Sequence, residues 1–184
     1  SFGTTTFNGT GTWTYQGTNA TTTQDLRILS GTVAAATGTL TIGGDFVNNG
    51  TFTHMGGTIR MISTLASTTI FASSSDLGSV TISGSGSFVF TDPIESLTGS
   101  LTLNAGTTVL PTSTISIGGS LISQGGSFVH GTGTVLFNSS DTGEVITPGT
   151  SLFTNVSIAA PLGGYTITGS ATTTGNFSLT SATA

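Results

Sequence analysis

The chain has no cysteine and no lysine, and its only cations are Arg27 and Arg60. Without cysteine there is neither a disulfide framework nor a thiolate metal site, so stability must come from packing and hydrogen bonding. Two arginines against seven acids give a net charge of −5. That excludes a nucleic-acid partner, because displacing counterions from phosphates takes several basic side chains. Charged residues make up 5% of the chain, which leaves a surface of hydroxyl and amide groups. Long apolar runs are missing as well. None approaches the roughly 18 residues of a membrane helix, and the apolar segments fall far short of the roughly 9 to 11 residues of a lipid-spanning barrel strand, so no membrane insertion is expected. No signal peptide is visible, and the chain starts at Ser1 without methionine, as expected of a processed protein or a piece of a longer one.

What is present is enough to fold. The 184 residues are 35% hydrophobic, too apolar for charge-driven disorder. Apolar residues recur in triplets around a small polar one, as in Leu26-Arg27-Ile28, Leu40-Thr41-Ile42, Val80-Thr81-Ile82, Leu101-Thr102-Leu103, Ile115-Ser116-Ile117 and Phe177-Ser178-Leu179. Period two puts the flanking residues on one face and the middle one on the other, so each triplet is a minimal half-buried strand. Clusters such as Ser83-Gly84-Ser85-Gly86 and Asn48-Asn49-Gly50 supply the changes of direction between them. No segment has helical periodicity, and the expected class is all-β.

The chain also repeats itself. Residues 1–109 lie on residues 76–184 with a shift of 75 to 76 positions, and Leu26, Leu101 and Phe177 mark the phase. The repeat phases are 1–25 (partial), 26–100, 101–176 and 177–184 (partial), within a single domain of residues 1–184. Recurring units of this kind stack on one another. Very short strands suit a coil that turns every few residues, which predicts a parallel β-solenoid, a right-handed β-helix. The expectation is about three coils per repeat, roughly 25 residues each, making roughly seven coils and a rod of about 35 Å at about 4.8 Å per coil. The competing architecture, two small antiparallel sandwiches in tandem, lacks the Cys and Trp landmarks of immunoglobulin-like folds. No capping helix or charged terminal strand appears, so the coil ends are expected to recruit further copies head to tail.

Segments such as Leu40-Thr41-Ile42-Gly43-Gly44-Asp45-Phe46-Val47-Asn48-Asn49-Gly50-Thr51-Phe52-Thr53-His54 and Gly131-Thr132-Gly133-Thr134-Val135-Leu136-Phe137-Asn138 resemble the low-complexity repeats of large secreted bacterial surface proteins, the adhesin-like and filamentous-haemagglutinin-like β-helix proteins. The resemblance covers most of the chain in style and spacing. It implies an extracellular structural or adhesive role and carries over no catalytic or binding residue.

Candidate chemistry is sparse. A lyase or hydrolase site needs convergent carboxylates, commonly with a cation. Asp92 with Glu95, and Asp141 with Glu144, are spaced three apart in turn-like segments and read as solvated loop charges. His54 and His130 occupy equivalent repeat positions. Three coils between them, about 14 Å, is too far for one zinc, and both read as turn histidines bonded to backbone. Trp13, Phe88 and Tyr165 are expected in one column as core or edge aromatics. Serine and threonine form roughly a third of the chain, read as half-exposed strand residues with one outward hydroxyl per strand rather than a flat hydroxyl array. Asn8, Asn19, Asn49, Asn138, Asn155 and Asn176 satisfy the N-glycosylation sequon and are candidate acceptors. No catalytic, cofactor or metal residue is assigned. The expected role is an extracellular, non-catalytic structural subunit or segment of a surface fibre. Its partner is itself, in a head-to-tail polymer or longer array. The alternative is an adhesive module for surface glycans, and an enzyme ranks third.

Overall fold

The computed structural model describes residues 1–160 and 163–180, and among these it contains only strands, turns and loops. The first turn carries β1 (Thr5–Phe7), β2 (Thr12–Thr14) and β3 (Ala20–Thr22). The second has β4 (Leu26–Ile28), β5 (Thr32–Ala34) and β6 (Thr39–Ile42), and the third β7 (Phe46–Asn48), β8 (Thr51–Thr53) and β9 (Thr58–Met61). A fourth turn holds only β10 (Thr68–Phe71) and β11 (Ser79–Ile82), with a strandless segment between them. Three strands return in each of the next turns: β12 (Ser87–Phe90), β13 (Ile94–Leu97), β14 (Leu101–Leu103); β15 (Thr107–Val109), β16 (Thr114–Ile117), β17 (Leu121–Ser123); β18 (Ser127–Val129), β19 (Thr134–Phe137), β20 (Glu144–Thr147). Beyond them lie β21 (Asn155–Ile158), β22 (Tyr165–Ile167) and β23 (Phe177–Leu179). The bridge from Phe153 to Thr173 stands where the first strand of each late turn would be.

Every pairing is parallel, and strands pair across coils rather than along the chain. Face one is β1-β4-β7-β10-β12-β15-β18, and face three is β3-β6-β9-β11-β14-β17-β20-β22. Face two is broken into β2-β5-β8 and β13-β16-β19-β21-β23, with the strandless segment of the fourth turn at the break. The chain is therefore a parallel β-solenoid of about nine turns, with coils of about 20 residues rather than the seven coils of 25 expected. Two coils are longer: Phe46 pairs with Ile70 and Leu121 with Ile146, steps of 24 and 25.

The sequence period has a structural meaning that strand counting along the sequence missed. From Leu26 in β4 to Leu101 in β14, and again to Phe177 in β23, the chain passes eleven face positions, three and two-thirds turns instead of three. Each repeat therefore begins one face back from its predecessor, and the three markers lie on faces one, three and two.

Inward residues stack on their equivalents. Ile42, Met61, Ile82 and Leu103 form one fully buried column on face three. Each contributes about 1.5–3 kcal/mol by burial. At the corners, short polar side chains accept the N–H of the next coil. The hydroxyls of Ser79, Ser100 and Ser120 take the amides of Ser100, Ser120 and Val145. Asp25 takes Asp45 N at 2.9 Å, and Asp45 takes Thr69 N at 2.8 Å. Arg27 bridges this two-carboxylate ladder, 2.8 Å from Asp25 and 3.6 Å from Asp45. These bonds satisfy backbone groups where the ladders end.

Candidate functional site

The polar groups that depart most from a plain solenoid gather at the break in face two. Asp92 and Glu95 are both buried, which corrects their reading as solvated loop charges. Asp92 precedes β13, and its carboxylate accepts the amides of Ala72 at 2.6 Å and Ser73 at 3.2 Å, replacing strand pairing that the segment lacks. Alternation in β13 explains Glu95. Ile94 and Ser96 point out, so Glu95 and Leu97 point in. Glu95 stands at the head of the core column Ile115, Val135 and Val156, with 1% of its surface exposed. One of its oxygens accepts Ser96 N at 3.1 Å, and the other, Oε2, has no partner. Burial pushes its carboxyl up to about 8; the Ser96 amide opposes the shift, and the charges of Asp92 and Asp76 add to it.

Asp76 closes the strandless segment. It accepts Gly78 N and Thr98 N, each at 2.9 Å, and the Thr98 hydroxyl at 2.7 Å. His54 Nε2 lies 3.3 Å from the carboxylate oxygen that accepts the Thr98 hydroxyl. The imidazole covers Gly78, where a Cβ would collide with the ring. His54 Nδ1 accepts the amide of Gly56 at 3.1 Å. Asn48, outside every sequon, is fully buried and ties the segment down, donating to Ala72 O at 2.7 Å and to the Ser75 hydroxyl at 3.0 Å. Sequence alternation carried a signal for it, since Asn48 shares the inward face of β7 with Phe46. Among the described residues the non-glycine positions with positive φ are Met55 (53°), Ser73 (52°) and Ser74 (65°), all beside this break. Strained backbone and buried acids in one place make this seam the candidate site. No group of three or more His, Asp or Glu side chains that could hold a metal occurs among the described residues.

The remaining sequence candidates are dispersed. Asp141 is exposed, while Glu144 is half-buried and accepts the Ser120 hydroxyl. His54 follows β8 on face two and His130 follows β18 on face one. His130 Nδ1 accepts Thr154 N at 2.9 Å, and burial holds its pKa below the usual value. Trp13, Phe88 and Tyr165 lie in β2, β12 and β22 on three different faces, so they share no column, because the repeat steps back one face each time. Phe88 is core, Trp13 packs on Phe7, and the Tyr165 hydroxyl donates to Ile117 O while accepting Ser139 N. Asn8, Asn19, Asn49, Asn138 and Asn176 are exposed. Asn155 is half-buried, and its amide donates to Thr132 O and Gly133 O.

The chain matches no protein-family model, no curated protein and no solved structure. Its class is set by its own geometry, that of a repeat-containing parallel β-helix.

Proposed function

We propose that this chain is an extracellular structural protein, a β-solenoid subunit or segment of a bacterial surface fibre, non-catalytic, that assembles through its coil ends. One observation carries the reading: among the described residues the ladders stay open at both ends of the rod. At the first turn β1 and β2 are paired on one side only. The core there opens into a cavity of about 440 Å³ lined by Phe2, Phe7, Trp13 and Tyr15. At the far end, a cavity of about 360 Å³ is lined by Phe137, Phe153, Ile167 and Phe177, and the outer strand β23 leaves Phe177 and Leu179 exposed. Parallel edge strands over an uncovered apolar core are a template for another coil running the same way. With only nine charged side chains in the chain, two of them the buried Asp92 and Glu95, the surface is mostly uncharged, which suits lateral packing in a surface layer.

Electron microscopy of the purified chain tests this. About nine coils at about 4.8 Å give a rod near 43 Å, so filaments with that axial repeat are expected. Placing charges in the first-turn cavity with Phe7→Lys and Trp13→Lys should leave single rods. Wild-type rods that stay single at high concentration would overturn the assembly reading. They would favour the adhesive alternative, for which a polar cleft lined by Ser96, Thr98, Asn138, Ser140 and Asp141 offers hydroxyl, amide and carboxylate groups to a glycan.

A further inference from the structure

Glu95 occupies a place that the fold gives to aliphatic residues in the following coils, where Ile115, Val135 and Val156 stand. A carboxylate there would be a buried charge without a counter-ion. The chain's two cations are engaged elsewhere: Arg27 bonds Asp25, and Arg60 bonds the Ser83 hydroxyl on face three. The groups that act on Glu95 by charge are acids, Asp92 before its own strand and Asp76 in the strandless segment, with His54 set against Asp76. A neutral carboxylic acid is the form this site accepts.

The preceding coil has no strand at this face. Strand ladders run on both sides, but residues 72–77 are attached by side chains. Asp92 holds Ala72 and Ser73, Asn48 holds Ala72 O, and Ser75 takes Phe52 N. Only Leu77 N reaches a β13 carbonyl, that of Ser96, at 3.1 Å. Few backbone bonds and positive φ at two consecutive serines place this segment at the low end of local stability.

We propose that the strandless coil of residues 72–77 is a proton-dependent latch, closed on the core while Glu95 is uncharged and released when Glu95 ionises. The sign follows from linkage. The folded-state pKa of Glu95 is raised from 4.5 to about 8, so the folded state holds the extra proton between these values. Its stabilising effect is complete below about pH 4.5 and is lost progressively as pH rises to about 8, with no further change from this group above that. Release is confined to the seam, because the ladders of faces one and three continue past it.

Hydrogen exchange read residue by residue tests the latch. From pH 6 to pH 9, corrected for intrinsic rates, the amides of Ala72, Ser73 and Leu77 should lose protection about tenfold or more relative to those of β15 to β17. In Glu95→Gln, which keeps the shape and removes the titration, the difference should vanish. Parallel pH profiles in the two proteins would overturn the proposal. Should Glu95→Gln fail to fold, the Glu95 carboxyl carbon shift is titrated in the wild-type chain: loss of protection at Ala72, Ser73 and Leu77 that follows this titration upholds the latch, and protection that does not follow it ends the proposal.

Discussion

Ser75 and Ser151 perform the same task 76 residues apart: each hydroxyl accepts the amide of the phenylalanine one coil earlier, Phe52 at 3.3 Å and Phe128 at 2.8 Å. Each ends a turn closed from N–H to carbonyl, Ser75 to Ala72 at 3.1 Å and Ser151 to Pro148 at 3.2 Å. Ser73 and Gly149 take positive φ at equivalent places. These turns follow the two long steps, whose extra residues lie between β9 and β10 and between β19 and β20, and they sit on different faces because the repeat steps back one face. A sequence period is thus expressed as a recurring local device rather than as a column.

Ser151→Ala leaves the buried amide of Phe128 without a partner and should cost about 1–3 kcal/mol. Ser75→Ala also removes the acceptor for Asn48, so a comparable loss is expected despite the longer bond to Phe52. Denaturant midpoints at constant m-value measure both.

Glycines at the corners divide into two groups. A Cβ at Gly43 would strike the carbonyl of Thr23, and one at Gly84 the carbonyl of Ser63, whereas Gly131 has open space. Gly43→Ala and Gly84→Ala should each destabilise by about 1–3 kcal/mol, and Gly131→Ala should stay within about 0.5 kcal/mol of wild type. Thermal unfolding of the three variants separates the groups.

Acid should weaken the seam through Asp76. Burial works to raise its pKa, but the amides of Gly78 and Thr98, the Thr98 hydroxyl and His54 outweigh it and hold the carboxyl below its usual range. A depressed folded-state pKa gives stability that is present above the unfolded value and lost as pH falls through the folded one. Asp76→Asn should therefore flatten the acid limb of the stability curve below about pH 4. An unchanged acid limb would show that Asp76 does not contribute to it.

Expression in a host that attaches N-linked glycans should distinguish two sequons. Asn138 is exposed, while the Asn155 amide donates to two backbone carbonyls and accepts Asn176 N through its side-chain oxygen. Mass spectrometry of peptides should find glycan at Asn138 and none at Asn155 in folded protein. Glycan at Asn155 would mean that modification precedes coil formation.

Much of this architecture is legible in the residues. Leu26, Ile28, Leu40 and Ile42 alternate as half-buried strands must, and all four are in the core. Coil length was not legible, because a repeat of 75 or 76 residues divides as readily into three coils as into three and two-thirds, and only inter-coil pairing such as Leu26 with Phe46 decides. The seam escaped for a related reason. Pro93 and Asp92 look like an ordinary loop, and Glu95 between Ile94 and Ser96 looks outward until the register of β13 with β16 fixes which side faces the core.

The sequence by itself determined the all-β class, the stacked parallel coils and the absence of thiol or polybasic chemistry, since alternation, repetition and composition are properties of the chain in one dimension. The tertiary structure alone decided the twenty-residue coil, the backward step of each repeat, and the burial of Asp92 and Glu95 beside Asp76 and His54. Those depend on which residues meet across a coil, and residues about 20 apart become neighbours only when the parallel ladders close.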